Sequence, residues 1–351
     1  MKLSNGYNIA VVGATGNAGM ATLQILAERN FPASSVLAIA SEKSIGKSVS
    51  FREKTLKVQK FSDVDFSEVD IAIFCAGSAV SRKNAGAVTN AGCVIIDKTS
   101  YFRLNPKVPL IIPEVNLDML KKGAPLGIVS TPNCIAVPLA MTLKALSELA
   151  PIRRVVASTY QSVSGAGRKA SDELYNQSKA LIAAGIPQCD IFSKPIAFNV
   201  IPLIGNLYES GVSEEEDKIS CETRKILKSD IKIAVTCVRV PVFIGHSISV
   251  ACEFTRPIQQ ENVYDVLENV EGIVIMDRKG ESDVFVTPID VQGEDAVYIS
   301  RIRMDSSVKS GLLYWISSDN LRKGAALNSV QIAESMISID PRLKRFKKVT
   351  V

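Results

Sequence analysis

The chain has 351 residues, of which 46% are hydrophobic and 22% charged, so it is long enough for about two domains with cores of their own. Part of its net charge of +5 lies in residues 342–348, which we interpret as a solvated terminus. Elsewhere positive and negative residues are mixed, which argues against a nucleic-acid-binding stripe.

The seven cysteines are irregularly spaced and include no CxxC pair, so the sequence favours neither a disulfide framework nor a metal site. Thiols that form no disulfide indicate a reducing compartment. Residues 1–7 lack the layout of a signal peptide. The longest uncharged stretch, residues 126–143, contains two prolines and is a poor membrane span. We expect a cytoplasmic protein that has no membrane contact.

In the first third of the chain, short apolar runs alternate with helical patterns. The predicted strands cover residues 8–13, 36–40, 70–76, 93–97 and 127–130. A helix is predicted over 17–30, with apolar contacts from Met20, Leu23, Ile25 and Leu26, and another between the third and fourth strands. Continuous apolar strands separated by helices predict a parallel sheet covered on both faces, as in an α/β Rossmann-type domain.

After about residue 132 the pattern changes. An amphipathic helix is predicted first, with one apolar face formed by Ile135, Leu139, Leu143 and Leu146. Longer strands follow at residues 154–163, 231–240, 246–255, 296–304 and 310–317. Such strands, flanked by polar turns, predict an α+β domain with a mostly antiparallel sheet. A last helix is predicted over 319–338, aligning Leu321, Ala325, Ile332 and Met336.

The segment GATGNAG, residues 13–19, lies between the first predicted strand and the first helix. Glycines there let the backbone approach a pyrophosphate, which binds at the positive end of the helix. The pattern alone also occurs in ordinary glycine-rich turns. The preceding strand and following helix favour dinucleotide binding.

The end of the second predicted strand helps to choose between the two nicotinamide cofactors. An acidic residue there usually binds the ribose diol of NAD. Ser41, Lys43 and Ser44 instead suit a 2′-phosphate, so we predict NADP. NAD stays an alternative because Glu42 could take the acidic role.

Cys134 ends the segment TPNC and precedes a predicted helix. A thiolate at a helix N-terminus is stabilised by the aligned peptide dipoles, and Asn133 can help to orient the site. The other six cysteines lie within strand or helix patterns, where a small buried residue is the simpler interpretation. We therefore predict that Cys134 is a nucleophile.

His246 is the only histidine of the chain, so a histidine acid or base would have to be this residue. A lone histidine is usually structural, but its closeness in sequence to Arg239 favours a functional role. A cysteine and a histidine would also suit a hydrolase. The dinucleotide pattern favours aldehyde oxidation through a thioester, with Arg103 and Arg239 available to bind anionic groups.

These residues, in their order and spacing, resemble the aspartate-semialdehyde dehydrogenase family of the bacterial type over almost the whole chain. The similar stretches are VVGATGNAG, FCAGSAVS, DKTSYFRLNPKVPLIIPEVN, STPNC, YQSVSGAGRKASDEL, ETRKIL, VRVPVFIGHS and DNLRKGAALNSVQIAE. The resemblance implies an NADP-binding domain of residues 1–132 and 319–351, a catalytic and dimerisation domain of residues 133–318, and a homodimer.

The resemblance also implies roles for single residues. Cys134 is similar to the family's nucleophile, His246 to its acid/base, and Gln161 to the residue that positions the substrate or thiol. Arg239 is similar to the clamp on the substrate α-carboxylate, and Glu215 to the carboxylate that meets the amino group.

The implied phosphate-binding and cofactor residues form a second group. Arg103 and Lys218 are similar to the phosphate-binding cations. The implied cofactor contacts are the loop residues Thr15, Gly16, Asn17 and Ala18, the 2′-phosphate neighbours Lys43 and Ser44, and the further contacts Ser164, Gly165 and Asn320. The chain departs from the family pattern in two places. Ile135 and Ala136 replace the usual Ser-Thr, and Lys43 replaces a common arginine, which would soften the preference for NADP.

The implied reaction interconverts L-aspartate 4-semialdehyde, phosphate and NADP with 4-aspartyl phosphate and NADPH. It would serve lysine, diaminopimelate, methionine, threonine and isoleucine synthesis. One alternative is an enzyme like N-acetyl-glutamyl-phosphate reductase, but the acidic run before Lys218 favours a substrate with a free amino group. The other is a non-catalytic relative, against which the joint presence of Cys134, Gln161, Arg239 and His246 argues.

Overall fold

The computed structural model describes residues 6–277 and 284–349. The chain divides into two units: residues up to Pro132 together with those from Ala325 onward, and residues Asn133–Gly324. The second boundary falls at Ala325, whereas the resemblance implies a boundary at Asp319. Residues 1–5, which carry most of the segment used for the signal-peptide prediction, lie outside the described residues.

The first unit contains a seven-stranded sheet whose strand order is β3-β4-β2-β1-β5-β6-β7. Its strands are β1 (Tyr7–Val12), β2 (Ala33–Ala40), β3 (Ser48–Phe51), β4 (Lys54–Lys60), β5 (Ile71–Phe74), β6 (Val94–Asp97) and β7 (Ile128–Ser130). All neighbouring strands are parallel except β3 and β4, which form an antiparallel hairpin at one edge. The predicted α/β class is confirmed, and the edge hairpin is an addition that the sequence pattern did not predict.

Helices cover both faces of this sheet. They are α1 (Asn17–Glu28), α2 (Ser78–Asn90), α3 (Pro113–Lys121) and α8 (Leu327–Ile339). One apolar layer joins Val11 and Ile73 to α1 and α8, and the layer on the other face joins Ala72 to α2. Within α1 the predicted apolar contacts are buried except Met20, which is 40% exposed because it lies on the outer side of the helix.

The predicted helix over 319–338 is wrong in its first part. Helix α8 begins at Leu327, and a π-helical turn, Arg322–Ala326, precedes it. The carboxylate of Asp319 accepts hydrogen bonds from the backbone N–H groups of Leu321 and Arg322, at 2.8 and 3.2 Å. These bonds hold the segment in a tight turn, so Leu321 does not align with the helix face.

The second unit contains a six-stranded sheet with the order β11-β12-β13-β10-β8-β9. Its strands are β8 (Ile152–Gln161), β9 (Lys232–Arg239), β10 (His246–Phe254), β11 (Ile273–Ile275), β12 (Val297–Asp305) and β13 (Gly311–Ser318). The three central pairings are antiparallel, and the two edge pairings, β11 with β12 and β8 with β9, are parallel. The predicted antiparallel character therefore holds for the centre, and the connection between the parallel strands β8 and β9 contains helices.

Four helices complete this unit: α4 (Ala136–Leu146), α5 (Arg168–Ile182), α6 (Glu214–Leu227) and α7 (Gln260–Glu268). The prediction of an amphipathic α4 is wrong. All its residues except Lys144 are buried, because it packs against α6, α7 and β13 at once. No helix among residues 6–277 and 284–349 is both long enough and apolar enough to cross a membrane.

Candidate active site

Cys134 lies just before α4, in a loop that is held by two carboxylates of α6. The backbone N–H of Asn133 donates to Glu222 Oε2 at 2.5 Å, and its side-chain Nδ2 donates to Glu215 Oε1 at 2.8 Å. Asn133 Oδ1 accepts the N–H of Ile135 at 2.8 Å. Every polar group of the residue before the thiol is therefore bonded, which fixes the entry of the chain into the helix.

Gly324 closes the opposite side of Cys134. A Cβ atom on this glycine would lie 2.9 Å from Cys134 Cβ and 3.2 Å from its Cα and carbonyl oxygen. The glycine belongs to the π-helical turn, a feature that is frequent at functional sites. Neither Gly324 nor Glu222 was predicted as a site residue, although both lie inside stretches that resemble the family.

Gln161 and Arg239 end the neighbouring parallel strands β8 and β9 and are register partners. Gln161 is buried, and its Nε2 donates to Glu215 Oε1 at 3.1 Å. The same oxygen receives the bond from Asn133. The structure thus brings Gln161, Glu215 and the Cys134 loop together, and it selects Glu215 from the acidic run as the carboxylate that faces them.

Arg239 is a buried cation whose Nη1 donates to the Ser162 carbonyl oxygen at 2.6 Å. Burial lowers its pKa, and the negative charges of Glu215 and Cys134 act in the opposite direction. The guanidinium therefore lies within electrostatic reach of both. A buried cation of this kind suits the binding of a substrate carboxylate.

His246 begins β10 and is 1% exposed. Its Nδ1 accepts the backbone N–H of Ser162 at 3.0 Å and lies 3.1 Å from Ser162 Oγ. Its Nε2 is buried and makes no hydrogen bond within the described part of the chain. Burial, with a smaller effect of the Arg239 charge, lowers the pKa of His246 to about 3, so the ring is neutral at physiological pH.

Ser164, Gly165 and Asn320 surround this histidine. A Cβ atom on Gly165 would lie 3.3 Å from His246 Nε2. Asn320 is 2% exposed, and its Oδ1 accepts from Ser164 Oγ at 3.2 Å and from the N–H of Gly245 at 2.9 Å. The three residues lie together as expected, and their part in cofactor binding stays a prediction.

Lys218 lies one turn along α6 from Glu214, and the two form an ion pair. The hydrogen bond from Lys218 lowers the pKa of Glu214. Ile135 and Ala136, which replace the hydroxyl residues usual in the family, are fully buried. They pack as core residues of the second unit.

In the first unit, the predicted cofactor loop has the backbone of an anion site. Gly13 has a φ of +90°, and a Cβ there would lie 2.9 Å from Ala76 N. A Cβ on Gly19 would lie 2.1 Å from the Gly13 oxygen, so α1 starts very close to the loop. Thr15 lies in the turn before α1, Asn17 and Ala18 begin the helix, and the N-cap Gly16 offers no side chain to its first N–H groups. Those donors suit a phosphate.

A cavity of about 380 Å³ lies beside this loop, at the C-terminal ends of β1, β2 and β5. Its apolar lining includes Ile39, Phe61 and Val80, and Lys83 and Asn84 line its rim. The size and lining suit an adenosine group. Phe61 and Lys83 were not predicted, because neither belongs to the glycine-rich motif.

The residues predicted near a 2′-phosphate differ in exposure. Ser44 is buried and its Oγ lies 3.2 Å from Thr15 Oγ1, whereas Lys43 is exposed. Arg103, also in the first unit, donates from Nη2 to the Lys98 carbonyl oxygen at 2.7 Å. No cluster of three or more His, Cys, Asp or Glu residues that could hold a metal occurs among the described residues.

Comparisons with known proteins agree over both units. The family model for the semialdehyde dehydrogenase NAD binding domain matches residues 8–123, and that for the semialdehyde dehydrogenase dimerisation domain matches residues 143–323. Aspartate-semialdehyde dehydrogenase of Rickettsia bellii is 52% identical, covering 94% of this chain and 98% of that protein. The crystal structure of aspartate semialdehyde dehydrogenase II from Vibrio cholerae complexed with ASA has a TM-score of 0.92 and 41% identity, covering 95% of this chain and 99% of that one.

Proposed function

Because the chain belongs to the aspartate-semialdehyde dehydrogenase family, we propose that it interconverts L-aspartate 4-semialdehyde, phosphate and NADP with 4-aspartyl phosphate and NADPH. This reaction would serve the synthesis of lysine through diaminopimelate, and of methionine, threonine and isoleucine. The observation that carries the proposal is the hydrogen-bonded network that joins the Cys134 loop to Gln161 and Glu215, beside buried Arg239 and His246.

The proposed chemistry centres on Cys134. Its thiolate forms a carbon–sulfur bond with the aldehyde carbon, and the carbonyl electron pair moves to oxygen. When bound, the nicotinamide supplies a hydride acceptor, which allows the adduct to become a thioester on Cys134. A phosphate oxygen then attacks the thioester carbon, and the carbon–sulfur bond breaks to return the thiolate.

Other side chains hold the reacting groups. Arg239 would bind the substrate α-carboxylate, and Glu215 would bind the amino group. Arg103 and Lys218 would hold phosphate. His246, neutral and buried, would act as the acid/base that moves protons during the reaction.

The decisive experiment replaces Cys134 with serine. Phosphate-dependent NADPH formation from L-aspartate 4-semialdehyde should fall by several orders of magnitude, because a serine hydroxyl is a far weaker nucleophile. Cys189→Ser is a matched control, since Cys189 is an exposed cysteine of the same unit. Near-normal activity of Cys134→Ser would contradict the mechanism.

Two further measurements separate the alternatives. Preference for N-acetyl-glutamate semialdehyde over the aspartate compound would indicate the N-acetyl-glutamyl-phosphate reductase reaction. Inertness of Cys134 to a thiol reagent, together with no turnover of either compound, would indicate a non-catalytic relative.

The cofactor proposal is NADP. The glycine loop and the adjoining cavity fit a dinucleotide, and Lys43 and Ser44 follow the strand at whose end a 2′-phosphate would bind. We expect Lys43→Ala to raise the KM for NADP more than that for NAD, because only NADP carries the extra charge. Lys47→Ala, at another exposed lysine nearby, is the control. Equal effects of Lys43→Ala on both cofactors would contradict this role.

We also propose that the protein is a homodimer formed through the second unit. This unit exposes large apolar side chains, including Ile186 at 90%, Phe198 at 71% and Leu207 at 61%. It also matches the family's dimerisation-domain model. Light scattering should give twice the mass of one chain, and a monomer at micromolar concentration would contradict the proposal. The seven cysteines form no disulfide, which supports the proposed cytoplasmic location.

A further inference from the structure

We propose that Thr159 is a positioning residue of the active site, whose hydroxyl holds the amide of Gln161 with its nitrogen, and not its oxygen, toward Glu215. Thr159 lies two residues before Gln161 on β8, so both side chains point to the same face of the sheet. The two residues are 0% and 2% exposed. What Gln161 does in the reaction rests on the proposed function, whereas the orientation of its amide rests only on the geometry around it.

The direction of the hydrogen bonds in this network can be traced from the backbone of Ile135. The Ile135 N–H donates to Asn133 Oδ1 at 2.8 Å, and a backbone N–H can only donate. This contact identifies the oxygen of the Asn133 amide, so the atom that meets Glu215 Oε1 at 2.8 Å is Nδ2. Because an amide nitrogen of this kind only donates, Glu215 Oε1 is an acceptor.

The same Glu215 oxygen decides which end of the Gln161 amide faces it. Gln161 Nε2 lies 3.1 Å from Glu215 Oε1. Glu215 acts on Arg239 as a negative charge, and an ionised carboxylate only accepts hydrogen bonds. An inverted amide would place Gln161 Oε1 against this oxygen, and two acceptors would then face each other in a buried place, which is unfavourable. The amide nitrogen therefore faces Glu215.

Thr159 holds the other end of the amide. Gln161 Oε1 lies 2.9 Å from Thr159 Oγ1, and a carbonyl oxygen carries no proton, so the hydroxyl is the donor. Threonine is branched at Cβ, which restricts χ1 and keeps the hydroxyl in place. Cys237, the register partner of Thr159 on β9, is a weak competitor for this proton, because burial raises the pKa of its thiol and keeps it neutral. Thr159 therefore fixes the end of the amide that Glu215 cannot hold.

This arrangement connects Thr159 to the loop that carries the thiol. Glu215 Oε1 receives hydrogen bonds from Gln161 and Asn133 at once, and Asn133 directly precedes Cys134. If Gln161 turned over, Glu215 would lose one of these two donors and would be held less firmly against Asn133. The Thr159 hydroxyl thus acts on the active site through Gln161, by keeping this amide in the one orientation that Glu215 accepts.

Thr159→Val tests the role of the hydroxyl, because valine keeps the branched shape and leaves Gln161 Oε1 buried without this donor. We expect kcat/KM for phosphate-dependent NADPH formation to fall roughly tenfold, the effect of one buried hydrogen bond. Thr159→Ser, which keeps a hydroxyl, should recover most of the loss. Thr142→Val is the matched control, since Thr142 is also fully buried in the second unit but its hydroxyl contacts Tyr314. A wild-type rate of folded Thr159→Val, or an equal loss in Thr159→Ser, would overturn the proposal.

A double-mutant cycle separates positioning from a general loosening of the core. In a Gln161→Ala background, Thr159→Val should lower kcat/KM no further, because the residue through which Thr159 acts is gone. A similar, roughly tenfold loss in both backgrounds would mean that Thr159 acts through packing alone, and would overturn the proposal.

A spectrum of the resting protein tests the orientation of the amide itself. Protein labelled with ¹⁵N in its glutamine side chains gives one pair of amide hydrogens for Gln161, which is assigned by its loss in Gln161→Ala. We expect one hydrogen of this pair to be shifted downfield by its bond to the carboxylate, and to lose that shift in Glu215→Ala. The pair should also move in Thr159→Val but not in Thr142→Val. No downfield hydrogen in the wild-type protein, or unchanged signals in a folded Thr159→Val protein, would overturn the proposal.

This inference and the proposed function can fail separately. The spectrum is recorded without substrate or cofactor, so it reports the orientation of the Gln161 amide whatever reaction the enzyme performs. The effect of Cys134→Ser tests the proposed function and does not depend on this orientation. If Thr159→Val does not fold, Thr159→Ala takes its place in the cycle and in the spectrum, because the smaller side chain also removes the hydroxyl and cannot clash with its neighbours.

Discussion

Gly324→Ala should inactivate the enzyme without unfolding it. The new methyl carbon would lie 2.9 Å from Cys134 Cβ, whereas carbon atoms in contact are usually about 3.5–4.0 Å apart. The overlap is therefore roughly 0.6–1.1 Å. Cys134 cannot move away easily, because Asn133 is bonded to Glu215 and Glu222 on α6.

The expected magnitude follows from this overlap. A displacement of about 1 Å at a reacting group costs on the order of 100-fold in rate, so we expect kcat to fall roughly 100-fold. Overpacking should lower the free energy of unfolding by about 1–3 kcal/mol, which leaves the protein folded at room temperature. Initial rates of phosphate-dependent NADPH formation and denaturant unfolding measure the two effects.

Gly86→Ala provides the matched control. Gly86 lies on the exposed side of α2, and a Cβ there would meet nothing within 4 Å. It should leave the rate unchanged and raise stability by about 0.5–1 kcal/mol, because alanine favours a helix. A folded Gly324→Ala enzyme with nearly wild-type kcat would refute the reasoning, since it would mean that the Cys134 loop can move away from the new methyl group without loss of activity.

Three further changes test other contacts. The pKa of His246 is lowered to about 3 in the folded protein, against about 6.5 unfolded, so only the unfolded chain binds this proton as pH falls between those values. In denaturant titrations, the free energy of unfolding of the wild-type protein should therefore fall by about 2 kcal/mol more than that of His246→Gln between pH 7 and pH 5. The same pH dependence in both proteins would contradict the burial of His246. Glu222→Ala should lower kcat at least tenfold and the free energy of unfolding by about 1–3 kcal/mol, because the Asn133 N–H loses its acceptor. A wild-type rate would contradict the role of Glu222 in holding the Cys134 loop. Gly13→Ala should weaken NADP binding in fluorescence titrations, because the φ of +90° at Gly13 and the nearby Ala76 N exclude a side chain. Unchanged binding would argue against a role of this loop in binding the cofactor.

The strands that are buried along nearly their whole length could be predicted from the sequence. Strands β1, β5 and β6 are buried along nearly their whole length and appear in the sequence as continuous apolar runs. The hairpin of β3 and β4 was not predicted, because Lys54, Lys57 and Lys60 interrupt the apolar pattern of β4, in which only Val58 is buried. The predicted amphipathic α4 failed for the opposite reason, since three neighbouring elements bury all its faces except Lys144.

Residues of the candidate site could be proposed from the sequence where a single residue carries its own chemistry. Cys134 precedes a helix, and His246 is the single histidine, so both could be chosen from the sequence. Gln161 and Glu215 emerged only from the resemblance. Glu222 and Gly324 were missed because their roles depend on distant partners: Glu222 binds a backbone group 89 positions earlier in the chain. No local pattern encodes such a contact.

The burial of α4 also bears on how the enzyme loses activity. Helices enclosed by packing exchange their amide hydrogens mainly through global unfolding, whereas loops open locally. Because Cys134, the proposed nucleophile, lies just before this helix, its geometry is coupled to a fully packed part of the second unit. Heat inactivation should then follow the cooperative unfolding of that unit, and substitutions deep in its core should tune catalytic lifetime as strongly as those beside the thiol.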